Sequence, residues 1–269
     1  AVAKLAVSHG LSLVNTSYEA PAMRELDDEA RAAGVTLLSE IGLDPGFDHM
    51  TAVDTVARIR ASGGVLSRFE SSCGGLPAPD SNDNPWGYKL SWSPRAFLLA
   101  GRNGARYLRG GEICTVAPEA LFATSFRAQI DGIGALEIYP NRDALIYRDL
   151  YDLPHVEGMF RGTFRSPGFC ETMKAVASLG LLSLDEADGA DATTFLDLTT
   201  RLVPKSAGSV SERVAGFLGT FPDSDVIARL EWAGLLSDRP LPAGAASPLD
   251  RLAARLLKRM SYKPGECDM

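Results

Sequence analysis

The sequence has no stretch near the roughly 20 consecutive apolar residues that a membrane-spanning helix needs. Its apolar runs, such as 96–100, are far shorter. It also lacks a basic excess. The 27 Lys and Arg against 34 Asp and Glu leave a net charge of −7, which argues against nucleic acid, a ligand that asks for clustered cations. Histidine is scarce, with only His9, His49 and His155. The four cysteines, Cys73, Cys114, Cys170 and Cys267, form no C-x-x-C pair. No metal-ligand spacing exists, so no metal site is expected. Scattered cysteines suit a reducing compartment, here the cytoplasm. No signal peptide is recognisable ahead of the fold. No G-x-G-x-x-G opens a helix after a strand; Gly132-Ile133-Gly134 leads into a strand and reads as a turn. A P-loop and the G-x-S-x-G hydrolase elbow are absent too.

What remains is an ordinary globular composition, 45% hydrophobic and 23% charged. The length suits two compact domains. The first residue is Ala1, read here as a sign of processing, trimming or excision from a longer chain.

Periodicity predicts an α/β beginning. Ala1–His9 is helical and stops at Gly10; Leu11–Val14 is a strand; Ala22–Ala33 is a helix after Pro21, with Met23, Leu26, Ala30 and Ala33 on one stripe; Val35–Leu38 is a second buried strand. Strand, helix, strand is a parallel crossover. After the turn Gly42–Gly46 comes a helix over Phe47–Ala61, with Met50, Val53, Ala57 and Arg60 in register, and then a strand over Val65–Ser72. Two Gly and two Pro make Cys73–Pro79 a shaped loop. A helix is expected over Pro94–Tyr107, with strands at Glu112–Val116, Glu137–Tyr139 and Met159–Phe164, in a mixed or antiparallel sheet. From Pro167 to about Leu257 the pattern is helical, including amphipathic segments at Glu171–Leu179, Asp225–Leu235 and Leu249–Leu257.

Three places carry candidate chemistry. Ser17-Tyr18 and Asp44-Pro45-Gly46 follow the two buried strands, whose carboxyl ends face the ligand crevice in open α/β sheets. The alternative is that Ser17 and Asp44 cap the helices that follow and Tyr18 packs. Arg161, Thr163 and Arg165 share one face of a strand, because side chains alternate, and Arg142 follows another strand. Guanidinium groups on one face in an acidic protein suit a carboxylate or phosphate ligand; pairing of both Arg with Asp or Glu on the surface fits the spacing at least as well. Cys73 is either a reactive thiol or a small packed residue. Lys89 is either buried or snorkelling, and His49 reads as structural.

Several segments in order resemble the glutamate-forming saccharopine dehydrogenase family. They are Thr16-Ser17-Tyr18 with Pro21-Ala22-Met23, Gly42-Leu43-Asp44-Pro45-Gly46-Phe47-Asp48-His49-Met50, Cys73-Gly74-Gly75-Leu76-Pro77-Ala78-Pro79, Asn84-Pro85 with Tyr88–Pro94, Tyr139–Asp143, Arg161–Arg165, and the closing Lys263–Met269. The resemblance implies the end of a Rossmann-type parallel sheet (1–43), then a mixed-sheet α/β substrate and dimerisation domain (44–166 and 245–269) with an α-helical insertion (167–244). It implies an oxidoreductase of lysine metabolism that interconverts saccharopine with glutamate and 2-aminoadipate 6-semialdehyde. The cofactor would be NADP or NAD and the assembly a homodimer. A mitochondrial setting follows if the chain is part of a bifunctional lysine-degrading enzyme. Ser17, Tyr18, Asp44, Arg142, Thr163, Phe164 and Arg165 would line the substrate site. Leu43, Asp44 and Ser93 would lie near the cofactor, and Asp44, Cys73 and Tyr18 are the candidates for proton transfer.

The family's Gly-rich half is missing, so the sequence reads as a fragment. A related imine reductase of the carboxynorspermidine dehydrogenase type, and a non-catalytic dimerising or regulatory remnant, are the alternatives.

Overall fold

A computed structural model describes residues 1–269. Helix α1 (Val2–Ser8) ends ahead of Gly10, whose φ of 66° lets the chain reverse into β1 (Leu13–Val14). Helices α2 (Pro21–Arg24) and α3 (Asp27–Ala32) then carry it to β2 (Leu37–Leu38). The single helix expected over 22–33 is thus two. The chain turns at Glu25-Leu26, which buries Leu26 and Ala30 and leaves Ala33 exposed. Strands β1 and β2 pair in parallel, Leu13 opposite Leu37 and Val14 opposite Leu38, so the crossover reading holds.

Helix α4 (Phe47–Ala61) has the expected bounds but not the expected inner face. Ala52 and Val56 are buried, while Phe47, Met50 and Val53 are exposed. It leads to β3 (Arg68–Cys73). Helix α5 (Pro94–Ala100) stops at Gly101, short of the expected Tyr107. Residues 105–107 belong instead to β4 (Ala105–Arg109), which forms a hairpin with β5 (Glu112–Val116) around Gly110-Gly111, both at positive φ. Next come β6 (Phe126–Ile130), β7 (Gly134–Pro140), the short α6 (Ile146–Leu150) and β8 (Gly158–Arg165). The sheet runs β5-β4-β8-β7-β6 with antiparallel neighbours. Strand β3 adds to β8 in parallel, with Cys73 opposite Thr163. The sheet is mixed, as expected.

The helical segment consists of α7 (Phe169–Ser178), α8 (Phe195–Thr200), α9 (Val210–Leu218), α10 (Asp225–Ala233) and α11 (Pro248–Met260). Ser and Thr N-caps start four of these, and capping boxes close on Thr194/Asp197 and Ser209/Glu212. Leu198, Leu230, Leu249, Leu252 and Leu256 pack with Trp86, Tyr88, Phe97 and Phe169 in one core. A smaller core gathers Ala52 and Val56 of α4 with Leu108, Tyr147, Tyr151 and Met159. The smaller core takes in Met159 near the start of β8, and Tyr88 and Phe169 of the larger one stand against Arg165 at its end. No helix is long and apolar enough to cross a membrane.

Residues 267–269 pair with the Cys73–Pro79 loop. Leu76 and Met269 exchange backbone hydrogen bonds at 3.3 and 2.8 Å, and Ala78 N–H donates to Cys267 O at 3.0 Å. Lys89 is 3% exposed. Its ammonium donates to Asp83 at 2.8 Å and Glu266 at 2.6 Å, which makes it a buried, paired lysine.

Candidate active site

The turn after β2 aims Asp44 at the sheet. Gly46 has φ 147°, and a Cβ there would sit 2.1 Å from Gly42 O, so only glycine fits. Asp44 is not a helix cap. The residue before α4 is Gly46, without any side-chain cap, and the Asp44 carboxylate instead accepts from Tyr18 OH at 2.8 Å and from Arg161 Nη2 at 2.5 Å. Arg161 also donates to Asp48, to Tyr147 OH at 2.8 Å and to Tyr18 OH at 3.2 Å. Its side chain is 4% exposed, and those of Asp44 and Asp48 are 16% and 8%. Burial opposes the Arg161 charge, but Asp44 and the tyrosines beside it raise its pKa. Burial, then Asp44, raises the Tyr18 phenol well above its ordinary value, and burial pushes Tyr147 up to about 12. Both phenols are therefore neutral hydrogen-bonding groups at physiological pH. Beyond them His49 bridges Tyr151 OH at 2.6 Å and Glu40 at 2.8 Å, the structural role expected of it.

Arg165 differs from Arg161 although both stand on the same face of β8. It is 6% exposed and has no carboxylate partner. One Nη donates to its neighbour's carbonyl, Phe164 O, at 2.7 Å, and the buried Nε has no partner at all. Its guanidinium sits among aromatic rings, 4.8 Å from the Tyr88 centroid, 5.3 Å from Phe169 and 5.9 Å from Tyr139. A buried cation without a counter-ion is costly unless an anion arrives to pair with it. Arg142 also has no carboxylate partner. It is exposed, has φ 57°, and stacks 4.4 Å over the Tyr18 ring.

Cys73 lies between these groups, opposite Thr163 in the ladder. Burial, then the charges of Asp44 and Asp48, raise its thiol pKa, so it stays protonated. Thr163 is buried opposite Tyr139. Strand alternation puts the Phe164 side chain on the other face, away from Thr163 and Arg165. Ser17 caps nothing: the residue before α2 is Ala20, and Ser17 contributes its carbonyl to Glu40 N–H at 3.0 Å. Leu43 is 60% exposed beside Asp44. Ser93 caps α5 by accepting from Ala96 N–H.

Sequence reasoning missed Asp48, Tyr147 and the aromatic cage of Tyr88, Tyr139 and Phe169. Asp48, four residues after Asp44 and on the same motif, was the legible one.

The fold and site define an α/β protein with a buried acid–arginine–tyrosine cluster and, beside it, two guanidinium groups without a carboxylate partner. The family model of the saccharopine dehydrogenase C-terminal domain matches residues 42–269. The chain is 40% identical over its whole length to saccharopine dehydrogenase [NADP(+), L-glutamate-forming] of Pyricularia oryzae, and 41% identical to the Saccharomyces cerevisiae protein of that name; it spans 61% of each. It is 36% identical to the mitochondrial alpha-aminoadipic semialdehyde synthase of Bos taurus and spans 30% of that protein. The solved apo saccharopine dehydrogenase (L-Glu forming) of Saccharomyces cerevisiae superposes with a TM-score of 0.79 at 38% identity, over 99% of this chain and 61% of that one. The chain belongs to the saccharopine dehydrogenase family of oxidoreductases.

Proposed function

We propose that the chain is the substrate-binding portion of a saccharopine dehydrogenase. It would interconvert saccharopine with glutamate and 2-aminoadipate 6-semialdehyde in lysine metabolism. In this reading 1–43 closes a dinucleotide domain, 44–166 with 245–269 is the substrate domain, and 167–244 is a helical insertion. The observation that carries the proposal is the buried, unpaired Arg165. Saccharopine offers three carboxylates around a secondary amine, and Arg165 and Arg142 supply bidentate donors for two of them.

Asp44 and Asp48 share the single Arg161 charge, which leaves the cluster one negative charge to face the substrate amine. Tyr18, neutral and already bonded to Asp44, supports a role in holding a proton near that amine.

The residues of this chain do not fit a whole dinucleotide. No Gly-rich turn on a helix N-terminus is present for a diphosphate, and the Ser93 hydroxyl is spent on its own helix. Leu43 and Asp44, at the end of β2, suit only the nicotinamide end. The relatives named for NADP(+) span more sequence than this chain. Hydride exchange is thus the part of a nicotinamide cofactor held largely elsewhere, and the present residues bind and orient the substrate.

The test is calorimetric titration of the chain with saccharopine. Binding that weakens on the order of 30-fold in Arg165→Ala, about 2 kcal/mol for a lost charged hydrogen bond, and weakens also in Arg142→Ala, supports the reading. Equal affinity in both variants overturns it.

A further inference from the structure

Glu137 lies directly opposite Arg165 in the β7–β8 ladder, and both residues are buried. A carboxylate in that position is the obvious counter-ion for the guanidinium. No such ion pair forms. The two Glu137 oxygens accept from the backbone N–H groups of Gly168 at 2.7 Å and Cys170 at 2.9 Å. These amides flank Phe169, the first residue of α7, whose ring stands 5.3 Å from the Arg165 guanidinium. Phe169 is itself held edge-on to Trp86 and tilted against Tyr88. It is 1% exposed, so its placement depends on the backbone at 168–170.

We infer that Glu137 is a positioning residue for substrate binding: by holding the 168–170 backbone it sets Phe169 against Arg165, and because it is spent there it leaves Arg165 unpaired for a substrate carboxylate. The inference rests on the assignment of Arg165 to a saccharopine carboxylate. It gives the carboxylate of Glu137 two consequences of opposite sign. As a negative charge beside the site, it works against anion binding, and its removal would tighten binding. As the anchor of the aromatic cage, its removal loosens the guanidinium and weakens binding. A glutamine in its place can accept only one of the two N–H groups, because its NH₂ faces the other as a second donor. The sign of the change therefore separates the roles.

The experiment is calorimetric titration of saccharopine into the full chain and its variants, with circular dichroism as the folding control. Glu137→Gln is expected to weaken binding about tenfold, the equivalent of one lost hydrogen bond expressed at the ligand. Phe169→Leu, which leaves the carboxylate in place and keeps an apolar side chain, is expected to do likewise. Combined with Arg165→Ala, neither substitution should weaken binding further, because the group they position is gone. If Arg165→Ala weakens binding but Glu137→Gln tightens it or leaves it unchanged, the positioning role falls while the Arg165 assignment stands. Equal losses in the wild-type and Arg165→Ala backgrounds overturn it too, since they signal general loosening. Should Glu137→Gln not fold, Phe169→Leu decides alone, and unchanged affinity there overturns the inference. Wild-type affinity in Arg165→Ala removes the assignment and the inference together.

Discussion

Replacing Arg161 with methionine removes the only cation of a buried cluster while keeping most of the side-chain stem. The guanidinium contacts two carboxylates and two phenols. Breaking one side of a buried ion pair costs about 3–5 kcal/mol, because the stranded charge has lost both water and its partner. Here the lower end applies. Asp44 keeps the Tyr18 hydroxyl and Asp48 keeps the Gly46 N–H at 2.7 Å, so neither carboxylate is left bare. A loss of about 3 kcal/mol corresponds to a fall in Tm of roughly 6–12 °C for a chain of this size. A double variant supplies a second check. Asp48→Asn added to Arg161→Met should recover part of the loss, because it removes one of the two like charges left facing each other in a dry site. Thermal unfolding at pH 7 is the assay. A fall in Tm under about 2 °C in Arg161→Met, or no recovery in the double variant, would refute the account of the cluster.

Other outcomes follow from the same geometry. Gly46→Ala should cost about 3 kcal/mol or more, as a backbone clash rather than a lost contact; denaturant titration showing less than about 1 kcal/mol would mean that the turn relaxes freely. Asp83, hydrogen-bonded to Lys263 and Lys89, has its pKa lowered to about 2. Its contribution is complete above the ordinary carboxylate range of about 4 and is lost as pH falls toward 2. Protection of the Leu90 and Met269 amides, corrected for the intrinsic pH dependence of exchange, should fall over that window in wild type and much less in Lys89→Met; identical profiles would count against the Asp83 pairing. Cys73 should be alkylated by iodoacetamide at pH 8 more slowly than exposed Cys267, and faster in Asp48→Asn, which removes one charge that raises its pKa. Rapid labelling of the wild-type thiol would contradict its protonated state.

The elements that sequence revealed well are those whose limits are written locally. Helix α4 lies between Gly46 and Gly63-Gly64, and β5 between the Gly110-Gly111 turn and Pro118, and both appear where periodicity put them. The 22–33 helix failed because an unbroken stripe does not register a turn at Glu25-Leu26, where burial of Leu26 outweighed helical continuity. The helix predicted over 94–107 ends at Ala100 because Gly101 closes it and Gly104 precedes a strand. A cleaner limit applies to Arg161 and Arg165. Alternation placed both on one face, but their fates differ because α4 brings Asp48 to one and α7 brings Phe169 to the other. The Asp48–Arg161 contact spans 113 positions, so no local spacing reports it, and Phe169, though only four positions from Arg165, is placed by the helical core it packs into. Arg161 pairs with carboxylates, though buried and not at the surface as the ion-pair alternative has it, and Arg165 does not, a division only packing could make.

The pairing of residues 260–269 with the stretch from Leu76 to Leu90 also sets an order of events. Lys89 and Glu266 are 177 positions apart, and Ser81 and Cys267 are 186 apart, so these bonds close among the longest loops in the chain and reward folding only late. Tyr88, one wall of the Arg165 cage, lies inside the stretch they secure. During synthesis the strands of the sheet can pair before that wall, itself part of the helical core, is secured. The aromatic cage around Arg165 is therefore finished only when residues 260–269 have left the ribosome.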